Sequence, residues 1–219
     1  MNKFAGASPY AIADFGLVAG HTVVVVIDMQ NDFLHNDGQY AKSGVDISHM
    51  QAAVAPHQPL IAAARTKNIP IIWTKHGTRN AVDGGVFFEI RPYLADGGLR
   101  KGTWGCEILQ DMEAKETDWF VEKTRASAFY QTSLELTLRG LAAETIIFTG
   151  VLTNQCVSAS VRDAFYRDFK PIVVPECCGT TLPHLHEPAL EIIAVGHGEI
   201  RPLERTIEDI ERLPLRNAA

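Results

Sequence analysis

The sequence Thr22–Ile27, TVVVVI, is a run of β-branched residues that ends directly at Asp28. A run of this kind, with no polar alternation, is typical of a strand that is covered on both faces, as in a parallel sheet. Shorter apolar runs recur along the chain and predict further strands at Ile69–Thr74, Trp119–Glu122, Thr145–Thr149 and Pro171–Val174, with a short sixth strand at Glu199–Arg201. The chain therefore contains enough strands for one central sheet.

Segments with helical periodicity separate these strands. They lie at His49–Lys67 with Ser48 as a possible cap, Ser133–Arg139 closed by Gly140, Asn154–Tyr166, Leu185–Val195 and Thr206–Leu213. Alternation of strands and helices predicts an α/β fold with three α/β/α layers and a central, mostly parallel six-stranded sheet. We expect one domain over residues 1–219, with residues 1–21 as an N-terminal arm. The glycine-rich stretch from His76 to Ala114 is predicted to cover a site, with one or two short helices.

Composition excludes several classes of protein. The chain has 219 residues, 46% hydrophobic and 21% charged, with a formal net charge of −6. A nucleic-acid-binding protein favours a basic patch, and the negative net charge does not indicate one. A membrane helix needs roughly 18 apolar residues, and no run of that length occurs in the sequence. The N-terminus does not resemble a secretory signal, and the four cysteines make a poor disulfide framework. A cytoplasmic protein is expected.

Reactive side chains follow the predicted strands at the points where those strands end. Asp28 follows the first strand, His76 the second and Lys123 the third, while Cys156 follows the fourth at the start of a helix. Ligands bind at the carboxyl ends of the strands in an open parallel sheet, so these side chains are expected to converge. The start of a helix also favours the thiolate form of a cysteine.

Three motifs carry a resemblance to a known family. They are VIDMQNDF at Val26–Phe33, KTRASAF at Lys123–Phe129, and TGVLTNQCV at Thr149–Val157, which is followed by Arg162-Asp163-Ala164. Together they resemble the isochorismatase-like cysteine hydrolases over nearly the whole chain, from about His21 to the last helix. That family includes nicotinamidases and amidohydrolases that act on N-carbamoylsarcosine, ureidoacrylate, biuret and triuret.

The resemblance implies an isochorismatase-like, Rossmann-like fold and a catalytic triad of Asp28, Lys123 and Cys156. It also implies a cis peptide between Val151 and Leu152, and an oxyanion hole formed by the N–H groups of Leu152 and Cys156. Members that cleave a vinyl ether lack the thiol, so Cys156 favours hydrolysis of a carbon–nitrogen bond through a thioester. Family members are commonly dimers or tetramers, and a homo-oligomer is expected.

No metal and no other cofactor are expected. Nicotinamidases of this family carry an Asp-x-His metal motif just past the second strand, where this chain has His76-Gly77-Thr78. The difference argues against a nicotinamidase. Asp46, His49 and His57 do not have the spacing of a zinc site either.

The substrate is predicted to be a small amide or ureide. The region Lys101–Trp104, followed by Glu107-Ile108-Leu109, is similar to a region of ureidoacrylate amidohydrolases. A pocket for a ureide should combine polar contacts with an aromatic wall. The predicted substrate-binding residues are Asn31, Phe33, His76, Trp104, Phe129, Tyr130, Thr153 and Gln155.

Two alternatives stay open at this point. One is an amidase of the same family that acts on a carbamoyl-amino acid, a maleamate-like acid or another small amide; a carboxylate substrate would need a cation such as Arg91, Lys75 or Arg125. The other is a catalytically silent binding or assembly protein on the same fold. Residues 79–100 match no substrate-specific pattern, and such loops are where specificity varies on a shared fold.

Overall fold

The computed structural model describes residues 13–215, which are organised around a six-stranded sheet in which every strand pair is parallel. The strands are β1 (Thr22–Ile27), β2 (Ile71–His76), β3 (Trp119–Lys123), β4 (Thr145–Val151), β5 (Lys170–Gly179) and β6 (Glu199–Ile200). All six predicted strands exist, which confirms the predicted sheet. The ends of β2, β4 and β5 reach further along the chain than predicted, because residues at the carboxyl edge still pair with the neighbouring strand.

Eleven α-helices connect and cover these strands in the described residues. They are α1 (Asn31–Leu34), α2 (Gln39–Lys42), α3 (Ser48–Gln51), α4 (Val54–Thr66), α5 (Ala81–Gly84), α6 (Val86–Ile90), α7 (Pro92–Ala95), α8 (Leu134–Gly140), α9 (Ser158–Phe165), α10 (His186–Gly196) and α11 (Leu203–Arg212). Short 3₁₀ helices lie at Trp104–Cys106, Gln110–Met112 and Pro183–Leu185, and a π-helix spans Thr153–Val157.

Strand β1 shows how the sheet separates two cores. Val24 and Val26 contribute to one apolar cluster, with Leu60 of α4 and Ile210 of α11. Their neighbours Val23, Val25 and Ile27 contribute to a second cluster, which includes residues of α8, α9 and α10. All six residues of β1 are buried, since alternate side chains of a strand point to opposite faces and both faces are covered. The predicted three-layer α/β/α arrangement is confirmed.

Several local predictions need correction. Ser48 is the first residue of α3 rather than its cap, and its N–H donates to the Asp46 side chain. Gly140 is the last residue of α8, and the left-handed residue after this helix is Ala142. The glycine-rich stretch contains five short helical segments instead of one or two, because turns as short as these leave almost no periodic signal in the sequence.

The order of the strands places the reactive residues at one edge. It is β3-β2-β1-β4-β5-β6, so the chain proceeds outward from β1 to β3 and then returns to the other side of β1 at β4. This reversal leaves a crevice beyond the carboxyl ends of β1 and β4, the usual place for a ligand in an open α/β sheet. Asp28 follows β1, and Cys156 lies five residues after the end of β4 at Val151.

Residues 13–21 contact the end of the sheet order at β6. The Phe15 N–H donates to the Glu199 carboxylate at 2.7 Å, and the Arg201 guanidinium donates to the Phe15 carbonyl oxygen. Glu199 and Arg201 form a buried ion pair at 2.7 Å. Residues 1–12 of the expected N-terminal arm lie outside the described residues. Among residues 13–215, no helix is long and apolar enough to span a membrane.

Gly150 allows β4 to approach β1 closely beside the reactive edge. Its φ is +107°, and a Cβ atom at this position would meet the Ile27 carbonyl oxygen at 2.1 Å. We predict that Gly150→Ala lowers the free energy of unfolding by at least about 2 kcal/mol, because the added methyl group clashes with backbone and the conformation favours glycine. Urea unfolding followed by circular dichroism measures the change.

Gly140→Ala is the matched control, since no atom lies within 4 Å of the added Cβ at the end of α8. Alanine there should stabilise the protein by up to about 1 kcal/mol, since alanine has the better helix propensity. Equal unfolding midpoints for the two variants would contradict the close approach at Gly150.

Candidate active site

A buried ion pair joins Asp28 and Lys123 at the carboxyl edge of the sheet. Lys123 Nζ lies 2.6 Å from Asp28 Oδ2, and both side chains are fully shielded from solvent. The ammonium also donates to the Arg125 carbonyl oxygen at 3.0 Å. Burial raises the pKa of Asp28, although the nearby Lys123 charge opposes the change. Burial lowers the pKa of Lys123, but the charges of Asp28 and Cys156 outweigh it and leave that pKa raised.

Thr74 of β2 holds the other side of the Asp28 carboxylate. Its hydroxyl donates to Asp28 Oδ1 at 2.7 Å and accepts the Asp28 N–H at 3.1 Å. Asp28 has a φ of +52°, which is uncommon for a residue with a side chain. The threonine therefore fixes both the backbone and the side chain of an aspartate in a restricted conformation.

Cys156 lies in the π-helix Thr153–Val157, 3% exposed, on the other side of the same crevice. Its Sγ, a carboxylate oxygen of Asp28 and a ring nitrogen of His76 all lie within 4.8 Å of one another. Burial raises the pKa of the thiol to about 11, against the opposing charge of Lys123. Burial therefore opposes the thiolate form that the start of the helix was expected to favour.

His76 ends β2 and is completely buried in the crevice. The Gln30 side chain accepts the His76 N–H at 2.7 Å and donates to the His76 carbonyl oxygen at 3.0 Å, so the backbone is held from both sides. Burial, followed by the positive charges of Lys123, Arg91 and Arg125, holds the pKa of His76 well below its usual range. The imidazole is therefore neutral.

The two ring nitrogens of His76 have different surroundings. Lys123 Nζ lies 3.5 Å from Nδ1. A hydrogen bond with the Thr124 backbone raises the pKa of His76, but burial and the nearby positive charges outweigh it. Nε2 is buried and has no hydrogen-bond partner among residues 13–215. It is an unpaired polar atom of the crevice.

The segment between β4 and Cys156 has the predicted cis peptide bond, between Val151 and Leu152. Leu152 then precedes the π-helix, and its carbonyl oxygen accepts from the Gln155 and Val157 N–H groups. The hydroxyl of Thr153 is buried and donates to the Gly179 carbonyl oxygen at 3.0 Å, with His186 Nδ1 at 2.9 Å. Thr153 thus connects the segment to β5.

The remaining predicted substrate-binding residues lie in different surroundings. Asn31 is buried and donates to the Trp104 carbonyl oxygen at 2.7 Å. Phe33 is buried against Tyr40, with ring centroids 4.8 Å apart, and Phe129 is buried against Phe169. The side chains of Trp104 and Tyr130 are about half exposed. The structure therefore does not gather the four predicted aromatic residues into one wall.

Gln155 lies next to Cys156 and accepts a short hydrogen bond from the Arg91 guanidinium. Arg91 belongs to residues 79–100, whose role the sequence left open. Its guanidinium stacks on Phe87 at 4.7 Å, and the Phe87 ring lies 4.7 Å from the His76 ring. Arg91 thereby connects this loop to Gln155 and, through the Phe87 ring, to His76.

Three residues of this site were not predicted: Gln30, Tyr40 and Thr74. Gln30 lies inside the first motif, and its spacing from Asp28 was the available signal. Tyr40 is 1% exposed, and its pKa is raised by burial first and then by Tyr93, with smaller effects of Arg91 and Cys156. Thr74 is one polar residue within an apolar strand, which was the only local signal for its role.

The crevice also contains the one group of potential metal ligands found in residues 13–215, namely Asp28, His76 and Cys156. The Lys123 ammonium lies 2.6 Å from the carboxylate and 3.5 Å from the imidazole, where it already supplies a positive charge. A divalent cation would be repelled by it. The donor set fits proton transfer better than metal binding.

Comparison with known proteins identifies the family. The isochorismatase domain matches residues 22–202. The ureidoacrylate amidohydrolase of Variovorax paradoxus is 32% identical over 73% of this chain and 69% of its own, and that of Methylobacterium radiotolerans is 30% identical over 81% and 74%. These relatives are consistent with the predicted carbon–nitrogen hydrolase class.

The fold agrees with solved structures. A cysteine hydrolase from Pseudomonas syringae pv. phaseolicola superposes with a TM-score of 0.86, covering 93% of this chain and 99% of that one at 24% identity. Both the predicted fold and the predicted family are confirmed. The chain belongs to the isochorismatase family of hydrolases.

Proposed function

We propose that this protein is a cysteine-dependent amidohydrolase that cleaves a carbon–nitrogen bond of a small amide or ureide of the ureidoacrylate type. The observation that carries the proposal is the convergence of one carboxylate, one ammonium and one thiol in a buried crevice. Asp28 and Lys123 are 2.6 Å apart, and the Cys156 sulfur lies within 4.8 Å of the carboxylate. The two relatives described above are ureidoacrylate amidohydrolases, which supports a ureide as the substrate.

The first step in this mechanism is removal of the thiol proton. Asp28 accepts the proton from Cys156 Sγ as the sulfur attacks the carbonyl carbon of the substrate. A raised pKa makes Asp28 a stronger base than an ordinary aspartate. Because the pKa of the Cys156 thiol is about 11, the proton moves to Asp28 while the sulfur attacks the carbonyl carbon. Lys123 keeps the carboxylate ionised before the proton arrives.

The second step breaks the carbon–nitrogen bond. The Leu152 and Cys156 N–H groups are proposed to hold the negative oxygen of the tetrahedral intermediate, a contribution of typically about 3–4 kcal/mol for each donor. Asp28 returns its proton to the leaving nitrogen, ammonia or an amine departs, and an acyl thioester remains on Cys156. The unpaired Nε2 atom of His76 is available for a hydrogen bond with the substrate.

Water completes the cycle. Asp28 takes a proton from water as the oxygen attacks the thioester carbon. The carbon–sulfur bond breaks, the acid product leaves, and the proton returns to Cys156. Exclusion of bulk water by the buried crevice strengthens the interactions of Asp28 and Lys123 with the reacting atoms.

Cys156→Ser tests the nucleophile. Hydrolysis of ureidoacrylate, biuret, triuret, N-carbamoylsarcosine and nicotinamide should be measured as ammonia release, with the highest rate expected for a ureide. The variant should lose at least about 10³-fold in kcat on every substrate that the wild type cleaves, since the hydroxyl is a poorer nucleophile here.

Cys177→Ala is the control, because Cys177 is buried within β5 and has no role in the mechanism. Its activity should equal that of the wild type when both variants are folded by circular dichroism. Retained hydrolysis in Cys156→Ser, or a wild type inactive on the whole panel, would contradict the proposal. Inactivity would favour the catalytically silent alternative.

The pH dependence tests the base. Asp28 must be ionised to accept a proton, so kcat/KM should decrease as the pH is lowered and Asp28 becomes protonated. Because the pKa of Asp28 is raised, this acid limb should lie at a higher pH than the pKa of an ordinary aspartate. The Thr74 hydrogen bond lowers the pKa of Asp28, so Thr74→Val should move this acid limb to still higher pH. The measurement is kcat/KM between about pH 4 and pH 9.

Thr149→Val provides the control for the same isosteric change. The Thr149 hydroxyl is buried in β4 without a hydrogen-bond partner among residues 13–215, so its removal should leave the acid limb in place. If Thr74→Val and the wild type share one pH profile, Asp28 is not the base that limits kcat/KM.

The alternative substrate class, a carbamoyl-amino acid or another small amide of the nicotinamide or maleamate type, uses the same chemistry at the same three residues. Two sequence-based expectations also stay predictions, namely the homo-oligomer of two or four subunits and the cytoplasmic location. Analytical ultracentrifugation tests the first. Neither is needed for the mechanism.

A further inference from the structure

A cavity of about 410 Å³ lies beside the crevice, and its lining carries two arginines. It is bounded by Phe87, Arg91, Asn154, Gln155, Ser158 and Arg162, together with two alanines. Three of these residues, Asn154, Gln155 and Ser158, flank Cys156 in the chain. The cavity therefore adjoins the segment that carries the proposed nucleophile.

Neither arginine of this cavity is neutralised. No carboxylate of residues 13–215 lies within the 4.0 Å ion-pair distance of Arg91 or Arg162. Arg91 donates to the neutral Gln155 side chain, and Arg162 Nε is buried with no partner among the described residues. An anionic ligand in this cavity would supply the charged acceptor that both guanidinium groups lack.

The other two candidate cations, Lys75 and Arg125, have partners outside this cavity. Lys75 forms an ion pair with Glu107 at 2.9 Å, and Arg125 donates to the carbonyl oxygens of Asp83 and Thr124. Of the three cations that the sequence offered for a carboxylate substrate, only Arg91 faces this cavity. Arg162 was not among them.

The Arg91 guanidinium is held in position and is close to the reacting groups. It stacks on Phe87 at 4.7 Å, whose ring is 4.7 Å from that of His76. Its hydrogen bond reaches Gln155, the residue next to Cys156, and its positive charge acts on His76. An anion bound by Arg91 would therefore lie beside the segment that carries the thiol.

We propose that this cavity is a carboxylate subsite, in which Arg91 and Arg162 bind the acid group of a substrate whose amide or ureide carbonyl lies at Cys156. The proposal rests on the proposed function and narrows its substrate class to amides or ureides that carry a carboxylate. Arg91 exchanges its neutral acceptor, Gln155, for the charged one. Arg91 and Arg162 are then specificity-determining residues.

Arg91→Gln and Arg162→Gln test the subsite with two substrates, ureidoacrylate, which carries a carboxylate, and biuret, which does not. Each variant should raise KM for ureidoacrylate by about 10- to 100-fold, the usual effect of losing a charge-assisted hydrogen bond. The KM for biuret should stay within about twofold, because no charge is recognised there. If the wild type does not cleave biuret, its inhibition constant against ureidoacrylate hydrolysis replaces KM.

Arg79→Gln is the matched control, since it removes one positive charge from the same loop at a site that is 77% exposed and paired with Asp83. It should leave both KM values unchanged. An equal rise in KM for both substrates in Arg91→Gln, or unchanged KM for ureidoacrylate in both cavity variants, would overturn the subsite.

Calorimetry separates this proposal from the catalytic one. Ureidoacrylate is titrated into Cys156→Ala and into the same protein with Arg91→Gln added. Weaker binding in the double variant supports the subsite even if the wild type proves inactive on every substrate. Equal binding, or no binding to either protein, contradicts the subsite even if Cys156 proves to be the nucleophile.

Discussion

The ion pair between Asp28 and Lys123 is the interaction on which the rest of the site depends. Both groups are removed from water, a loss that costs several kcal/mol for each ion unless excellent geometry offsets it. Here the offset comes from a 2.6 Å contact, the Thr74 hydroxyl on the other carboxylate oxygen and the Arg125 carbonyl oxygen on the ammonium. A buried pair of this kind contributes little to stability by itself, so its value lies in the chemistry that it permits.

The order of the strands explains why these groups can meet at all. Asp28 and Lys123 are contributed by β1 and β3, with β2 between them, and Cys156 is contributed by the segment after β4. All four strands are parallel, so their carboxyl ends share one edge and their last residues face one crevice. Gly150 brings β4 against the end of β1, where a larger residue would separate the thiol from its proposed base.

Positive charges in the crevice and in the cavity beside it differ in whether a carboxylate compensates them. Lys123 is surrounded by partners that compensate its charge, whereas Arg91 and Arg162 line a cavity without a carboxylate. The neutral His76 lies between Lys123 and the Phe87 ring that supports Arg91. Charge is therefore balanced where bonds are proposed to change and left unbalanced where a ligand is proposed to bind.

The sequence by itself determined the sheet, the family and the three residues of the proposed triad. Runs of β-branched residues and the residues that end them are local signals, and the three motifs are contiguous in the chain. Because parallel strands bring their carboxyl ends together, local signals sufficed to predict that Asp28, Lys123 and Cys156 converge.

Only the tertiary structure decided the surroundings of those residues. Thr74 lies 46 residues from Asp28, and Arg91 lies 64 residues from Gln155, so neither contact leaves a pattern in the sequence. The raised pKa of the Cys156 thiol, the unpaired Nε2 atom of His76 and the separation of the predicted aromatic residues likewise follow from packing. Burial and register are properties of the folded chain, since they depend on which distant segments exclude water from each group.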